Sequence, residues 1–414
     1  MSTTDKFVTL YQPAISIVLP NETLNISISD IVSISFIHNY DTATFPIVRV
    51  RLYSDISVIQ TICENPNDIE VRGTLLGMIY RMNDEDKSPV PVSYVSEVSF
   101  GLKGYIENKN IPSSKFDQYV FGIKKTTDLN TNMKVPIEIY CYDDSLVHLM
   151  KQKAPSIYKN MSLTSIISDI LQRNGIYAYY LDPLANQKKY DQVLIPNLNI
   201  VQTLGFFDKK YGLYKKGAQV YGTEGGLIIC DTDVLSSQSS TIPIYVESGK
   251  NNTDMSGMKK IDKKYRMVTM AGNVSVKTET DIERVLNGKY LADINLNTMK
   301  ANTEELSDLY ATTSGYAKLK NIEVPDILHK SENEYVASSY VARLNESITE
   351  VDVSGVGFDI SLIQPISRFN LVFATPIRGL NINKRYRPSY ACHVLSNLDS
   401  DLFIAQTTMN LRTN

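Results

Sequence analysis

The sequence contains no tryptophan, and its four cysteines and four histidines are scattered along 414 residues. Cys63, Cys141, Cys230 and Cys392 share no short spacing. That argues against a zinc knuckle or a local disulfide framework and leaves free thiols as the expectation. His38, His148, His329 and His393 form no HExxH or HxH arrangement, so no metal ligand set is visible. Cofactor signals are missing as well. Gly225-Gly226 and Gly355-Val356-Gly357 lack the lysine and the following helix of a phosphate cradle, and read as turns or bulges. There is no GxSxG elbow for a serine hydrolase. Asp84-Glu85-Asp86 and Asp143-Asp144 are adjacent carboxylates, which diverge on a strand or point to water in a turn, so neither is an acid/base couple by spacing. No run approaches the roughly 20 apolar residues of a membrane helix. Met1 to Leu10 has no signal core, so the expectation is a soluble chain made in a cytosol, without membrane insertion. With 42 Lys+Arg against 45 Asp+Glu, no long-range field gathers nucleic acid. The basic run Lys259-Lys260 to Lys263-Lys264 is short and reads as a solvated loop.

What the chain has is the vocabulary of strands and turns. Tyrosines number 26, and Asn, Ser, Thr, Ile and Val are common. Leu24 to Ser29 alternates apolar and polar, Ile31 to Ile37 repeats it, and Pro46 to Tyr53 does so with Arg49 and Arg51 on the outer face. Ala14 to Leu19, Glu70 to Tyr80, Tyr94 to Leu102, Gln118 to Lys124 and Pro136 to Tyr142 are further strand candidates. This spacing predicts a sandwich or barrel over roughly residues 7–145.

The pattern then changes. Ser162 caps a predicted helix with Leu163, Ile166, Ile167, Ile170 and Leu171 on one face, stopped by Asn174-Gly175. A second helix starts near Asn199 and carries Ile200, Val201, Leu204, Phe206 and Phe207. Tyr214 to Tyr221 and Gly226 to Cys230 read as a hairpin. From about residue 240 strands return: Ile242 to Val246, Tyr265 to Lys277, Ser338 to Leu344, Ile348 to Val353, Gln364 to Ala374, Ser389 to His393 and Leu402 to Leu411. Residues 280–320 are polar and helix-permissive.

The middle stretch carries a resemblance. The capped helix Met161 to Gly175 is followed by Tyr179-Tyr180-Leu181-Asp182-Pro183. Next come Tyr190 to Pro196, then Leu204-Gly205-Phe206-Phe207-Asp208-Lys209-Lys210-Tyr211-Gly212-Leu213-Tyr214. This order resembles the baseplate hub and tail-hub proteins of tailed bacteriophages, which share a fold with the N-terminal part of type VI secretion spike proteins. The resemblance is best over residues 155–232. It implies a mainly β chain with an α+β insertion: a first tube-like β-barrel domain over 1–150, an α+β middle domain over 151–235, and a second tube-like barrel over 236–414 with a helical or loop insertion near 280–335.

It further implies a structural, non-enzymatic role in the virion. A homotrimer would present a pseudo-sixfold ring that adapts the sixfold tail tube protein to a threefold central spike protein, beside baseplate wedge or sheath-adaptor proteins. DNA would meet the ring only in transit through its channel. In that setting Arg49, Arg51 and Glu70 line a pore or an intersubunit seam, or are simply solvent-exposed. The basic run Arg378 to Arg387, with Lys384, Arg385 and Arg387, touches an acidic neighbour or passing DNA, or is a surface loop. Tyr211, Tyr214, Phe206 and Phe207 are expected to pack the middle domain. Unlike larger members of the family, the chain shows no appended lysozyme, peptidase or β-helical spike. Two rival readings remain at this point: a tail-associated cell-wall hydrolase, and a distal-tail or adhesin protein binding host glycans.

Overall fold

The computed structural model describes residues 6–40, 46–55, 62, 68–82, 89–105, 134–214, 217–223, 226–231, 241–247, 257–261, 263–270, 274–278, 294–295, 300–301, 349–364, 367–373, 385–399 and 401–413. The strand expectations at Gln118 to Lys124 and Ser338 to Leu344 lie outside these residues, as does most of the 280–335 segment.

The chain is mainly β. It opens with β1 (Lys6–Val18), β2 (Thr23–Ile26), β3 (Ile31–Asn39), β4 (Ile47–Asp55), β5 (Ile69–Met82), β6 (Pro89–Tyr105) and β7 (Lys134–Tyr142). The alternation produces these strands by segregating faces. In β4, Val48, Val50 and Leu52 are buried, while Arg51 and Tyr53 are exposed. A mixed stretch follows: α1 (Asp144–Lys151), β8 (Ser156–Ser162), α2 (Leu163–Arg173), β9 (Tyr179–Leu181), β10 (Lys189–Ile195), α3 (Ile200–Tyr211), β11 (Ala218–Thr223) and β12 (Gly226–Asp231). The remaining strands are β13 (Thr241–Glu247), β14 (Gly257–Ile261), β15 (Lys264–Met270), β16 (Val274–Thr278), β17 (Ile294–Asn295), β18 (Lys300–Ala301), β19 (Thr349–Val356), β20 (Arg368–Phe373), β21 (Tyr386–Asp399) and β22 (Leu402–Thr413). The lysines Lys259, Lys260 and Lys264, read from sequence as a loop, sit on the β14–β15 hairpin, which turns at Lys263 with φ of 64°.

The pairings close on themselves twice. One antiparallel circuit runs β1, β5, β6, β7, β4, β3, β21, β22 and back to β1. A second runs β1, β14, β15, β13, β20, β21, β22 and back to β1, with β13 parallel to both of its neighbours. Closure of this kind leaves few free strand edges. Each circuit surrounds its own apolar core. Ile34, Val50, Leu52, Val71, Ile139, Leu395 and Phe403 fill the first, and Ile244, Phe369, Leu371, Met409 and Leu411 are in the second. Each such side chain contributes on the order of 1.5–3 kcal/mol by burial.

The strands β1, β21 and β22 belong to both circuits, and one face of each passes from one core into the other. On β22, Phe403 and Ala405 lie in the first core and Met409 and Leu411 in the second. On β21, Leu395 is in the first and Ala391 in the second. On β1, Tyr11 is in the first and Phe7 in the second. Between them, on the same face by period two, stand Thr407, His393 and Thr9, all buried. The two cores therefore meet at a polar waist. Gly357, with φ of 73°, threads beside it. Its N–H donates to the Ala405 carbonyl at 2.8 Å, and its carbonyl accepts from Thr9 N–H at 2.9 Å. A Cβ there would come within 2.9 Å of Val8.

The mixed stretch has a third core. α2 buries Leu163, Ile166, Ile167, Ile170 and Leu171, and Ser162 accepts from Ser165 N–H as its cap. α3 starts in a capping box: Asn199 accepts from Gln202 N–H at 2.7 Å, and Gln202 accepts from Asn199 N–H at 3.2 Å. Phe207, Tyr211 and Tyr214 are in this core, with Phe206 packed against it. Tyr214 is pinned by its hydroxyl, which reaches the Asp182 carbonyl at 2.9 Å.

Candidate functional site

The residues singled out from sequence fall in three places. Arg49 and Arg51 project from the outer face of the first circuit, because Val48, Val50 and Leu52 take the inner one. Strand β7 pairs with β4 so that Glu138 stands opposite Arg51, and Tyr140 opposite Arg49. One carboxylate then serves both cations: Arg51 Nε lies 2.9 Å from Glu138 Oε2, and Arg49 Nε lies 3.2 Å from Oε1. Burial by itself would raise the Glu138 carboxyl. Hydrogen bonds from Arg51 and Tyr140 and the charges of Arg49 and Arg51 outweigh it and hold the group below its ordinary value. The same face carries aromatic surface: Tyr105 stacks on Tyr140 at 5.5 Å and tilts against Tyr142 at 5.6 Å, and Tyr53 is exposed. A cationic pair, one carboxylate and several tyrosines suit contact with a partly polar protein surface.

Glu70 is elsewhere, on β5, and its partner is Arg72, with Nε at 2.7 Å. The structure does not bring it to Arg49 or Arg51, whose shared partner is Glu138. Arg378 and Lys384 lie outside the described residues. Arg385 is exposed just before β21, and Arg387 is on β21 and buried. Gln219, with its amide oxygen turned toward β21, accepts from the Arg387 guanidinium at 2.8 and 3.1 Å. Arg387 thus belongs to the joint between the mixed stretch and the second circuit. Arg368, Asp182 and Asp231 are buried there too. Their charges act on Cys230, whose thiol is pushed up to about 12, first by burial and next by Asp182.

Long β6 offers a different surface. Val90, Val92 and Tyr94 are exposed at 43, 46 and 57%, on a stretch where Val92 and Val95 are extra residues in the β5–β6 register, so simple alternation does not put the three on one face. Strand β7 meets β6 only from Lys103 to Tyr105. Among the described residues no strand lies against that side of β6 from Pro89 to Ser99. Pro89 and Pro91 have no N–H to offer, which limits indiscriminate pairing along it.

Sequence reading missed Glu138, Arg368, Asp182 and Asp231. Glu138 had a signal, a lone carboxylate on the outer parity of Pro136 to Tyr142. Its partners became visible only with the β4–β7 register. Among the described residues no group of three or more His, Cys, Asp or Glu is placed to hold a metal ion, and no helix is long and apolar enough to cross a membrane.

A family profile described as Bacteriophage PBS1 gene 109 protein matches residues 7–386. The chain belongs to this family. Its phage origin agrees with the resemblance carried by the Met161 to Tyr214 order. No curated protein matches the chain. Among solved structures, it is similar to the tail protein from Neisseria meningitidis MC58, at 12% identity and a TM-score of 0.49, over 97% of each chain. It is similar to the 43 kDa tail protein of prophage MuSo2 from Shewanella oneidensis, at 10% identity and 0.45, over 96% of this chain and 97% of that one. The E. coli c3393 protein follows at 8% identity and 0.44, over 92% and 73%. It is described as a type VI secretion component with similarity to T4 tail proteins gp27 and gp5.

Proposed function

We propose that this chain is a non-enzymatic hub subunit of a phage tail. It would trimerise into a ring of six similar β-barrels that joins the sixfold tail tube to a threefold central spike, next to wedge or sheath-adaptor proteins. It would reside in the virion baseplate, with DNA passing only through the channel. The observation that carries the reading is the pair of closed strand circuits in one chain, fused through β1, β21 and β22. Three copies of such a chain supply six barrels, which is what a threefold-to-sixfold adaptor needs. Membership of a phage family supports the setting. The outer face with Arg49, Arg51, Glu138 and Tyr53, and the exposed segment of β6 with Val90, Val92 and Tyr94, are the surfaces we assign to contacts between copies or with the tube. The domain division at about 150 and 235 belongs to the same proposal, qualified by the last two strands, which return to the first circuit.

The test is sedimentation equilibrium with negative-stain imaging of the purified chain. A trimeric ring with a central channel is expected, and the Val92→Glu, Tyr94→Glu double variant should shift it toward monomer with unchanged circular dichroism. A monodisperse monomer at high micromolar concentration would overturn the proposal. Clearing of peptidoglycan in a zymogram would replace it with the hydrolase.

A further inference from the structure

We propose that the basic β14–β15 hairpin of one copy docks into an acidic groove on the first circuit of the next copy. The inference rests on the hub reading above and names surfaces that would join its subunits. The hairpin sequence from 259 to 266, KKIDKKYR, holds five cations and one carboxylate. Lys260, Lys263 and Lys264 are exposed. The strand register sets Lys259 directly opposite Arg266. Like charges in that position weaken a hairpin. Cations gathered at a cost to local stability are useful where an anionic surface meets them. The groove has a volume of about 830 Å³ and lies beside Val18, Leu19 and Pro20, at the other end of β1. Among the described residues that line it, Asp68, Glu70, Asp143 and Asp144 carry carboxylates and Lys103 a cation. Lys103 Nζ is 3.8 Å from Asp144, and Glu70 also pairs with Arg72 at 2.7 Å. The side chains of Glu70 and Asp144 nevertheless stay 43 and 44% exposed, so the groove keeps an accessible negative surface.

Topology keeps the two patches apart within a copy. Strand β14 joins β1 with Met258 opposite Phe7, and Tyr265 packs edge-on against Phe7 at 5.2 Å. The pairing is antiparallel, so the chain beyond Met258 runs away from Val18 toward the hairpin tip. The span from Phe7 to Val18 is roughly 35 Å along a strand. Charges are screened over about 8 Å at physiological salt. The hairpin of one copy therefore cannot answer its own groove, and the groove of a second copy can. Such a contact is heterologous: it uses two different patches and repeats from copy to copy until a ring closes. It sets the second circuit of one copy against the first circuit of the next, the alternation that a ring of six barrels requires. Nucleic acid in the channel would also meet the lysines, but it gives the acidic groove no role. Complementary patches on one chain favour the protein contact.

Sedimentation equilibrium of the full chain and its charge-reversed variants tests the docking. Lys263→Glu with Lys264→Glu, and separately Asp68→Lys with Glu70→Lys, should each weaken association about tenfold or more, with unchanged circular dichroism. All four changes in one chain set opposite charges across the contact again, and should recover association to within about threefold of the unaltered chain. A trimer that survives either reversal would overturn the docking and leave the hub reading in place. So would a folded quadruple variant that fails to recover. A monomeric unaltered chain would remove both. If the lysine reversal spares association and instead abolishes retention of a DNA duplex by the assembled chain, the hairpin serves nucleic acid and the proposal falls.

Discussion

At the residue scale, the waist governs how the molecule responds to acid. In an unfolded chain His38 and His393 titrate near 6.5. In the fold, burial lowers both, to about 4 and about 3, and the charge of His38 lowers His393 further. Below pH 6.5 the unfolded state therefore binds more protons. The stability these rings contribute is whole above 6.5 and is lost as pH falls toward 4, by up to about 1.4 kcal/mol per pH unit per ring. The charged or titratable groups nearby are Tyr40, Tyr221 and Asp143. Urea midpoints at pH 7.5, 5.5 and 4.5 should fall steeply, and His393→Gln should remove about half of the slope. Equal slopes for both proteins would mean that His393 is already charged in the fold.

The Arg49–Glu138–Arg51 cluster invites a smaller expectation. Arg51 is about half exposed, and solvent screens such pairs, so Glu138→Gln should cost no more than about 1 kcal/mol. Its folded carboxyl sits below the ordinary value, so its contribution is present at neutral pH and lost on acidification. If the cluster also joins copies, this variant will weaken assembly far more than it weakens the fold. Parallel denaturation and sedimentation runs separate the two effects.

At the scale of elements, helices and strands differ in how much of their stability is local. α3 carries its own start signal: Asn199 and Gln202 satisfy each other's backbone N–H groups. Asn199→Ala should cost about 1 kcal/mol, read as a shifted denaturation midpoint with unchanged slope. These local signals explain why α2 and α3 were legible from sequence to within a residue or so. α1 was not: it spans only eight residues directly after β7, and Asp143-Asp144 read only as adjacent carboxylates on a strand or in a turn. Strand β4 was legible for the opposite reason, since its alternation reports burial whichever strand it pairs with. The Tyr265 to Lys277 segment, read as one strand, is two, because β15 pairs with β13 and β14 while β16 pairs with β19.

At the scale of the whole molecule, the shared strands couple the two cores. Phe403→Ala should cost about 3–5 kcal/mol and Met409→Ala about 2–5 kcal/mol, in different cores but on one strand. Because β1, β21 and β22 cross both circuits, either variant should lower one common calorimetric transition. Two separated transitions would show that the barrels unfold independently.

The sequence by itself determined the mainly β character, the alternating faces of β4, the caps of α2 and α3, and the lack of a metal or phosphate motif. Each of these is written in neighbouring residues through periodicity or local hydrogen bonding. It did not determine that β3 buries Ser33 and Ser35 as well as Ile34 and Phe36. The tertiary structure alone decided that β21 and β22 return to β1 and β3, that Glu138 answers Arg49 and Arg51, that Arg387 is buried beside Gln219, and that His393 borders a cavity. Those facts depend on pairing between segments far apart in sequence, 87 residues for Arg51 and Glu138 and more for the others. Alternation says which face a residue takes, but not which strand will lie beside it.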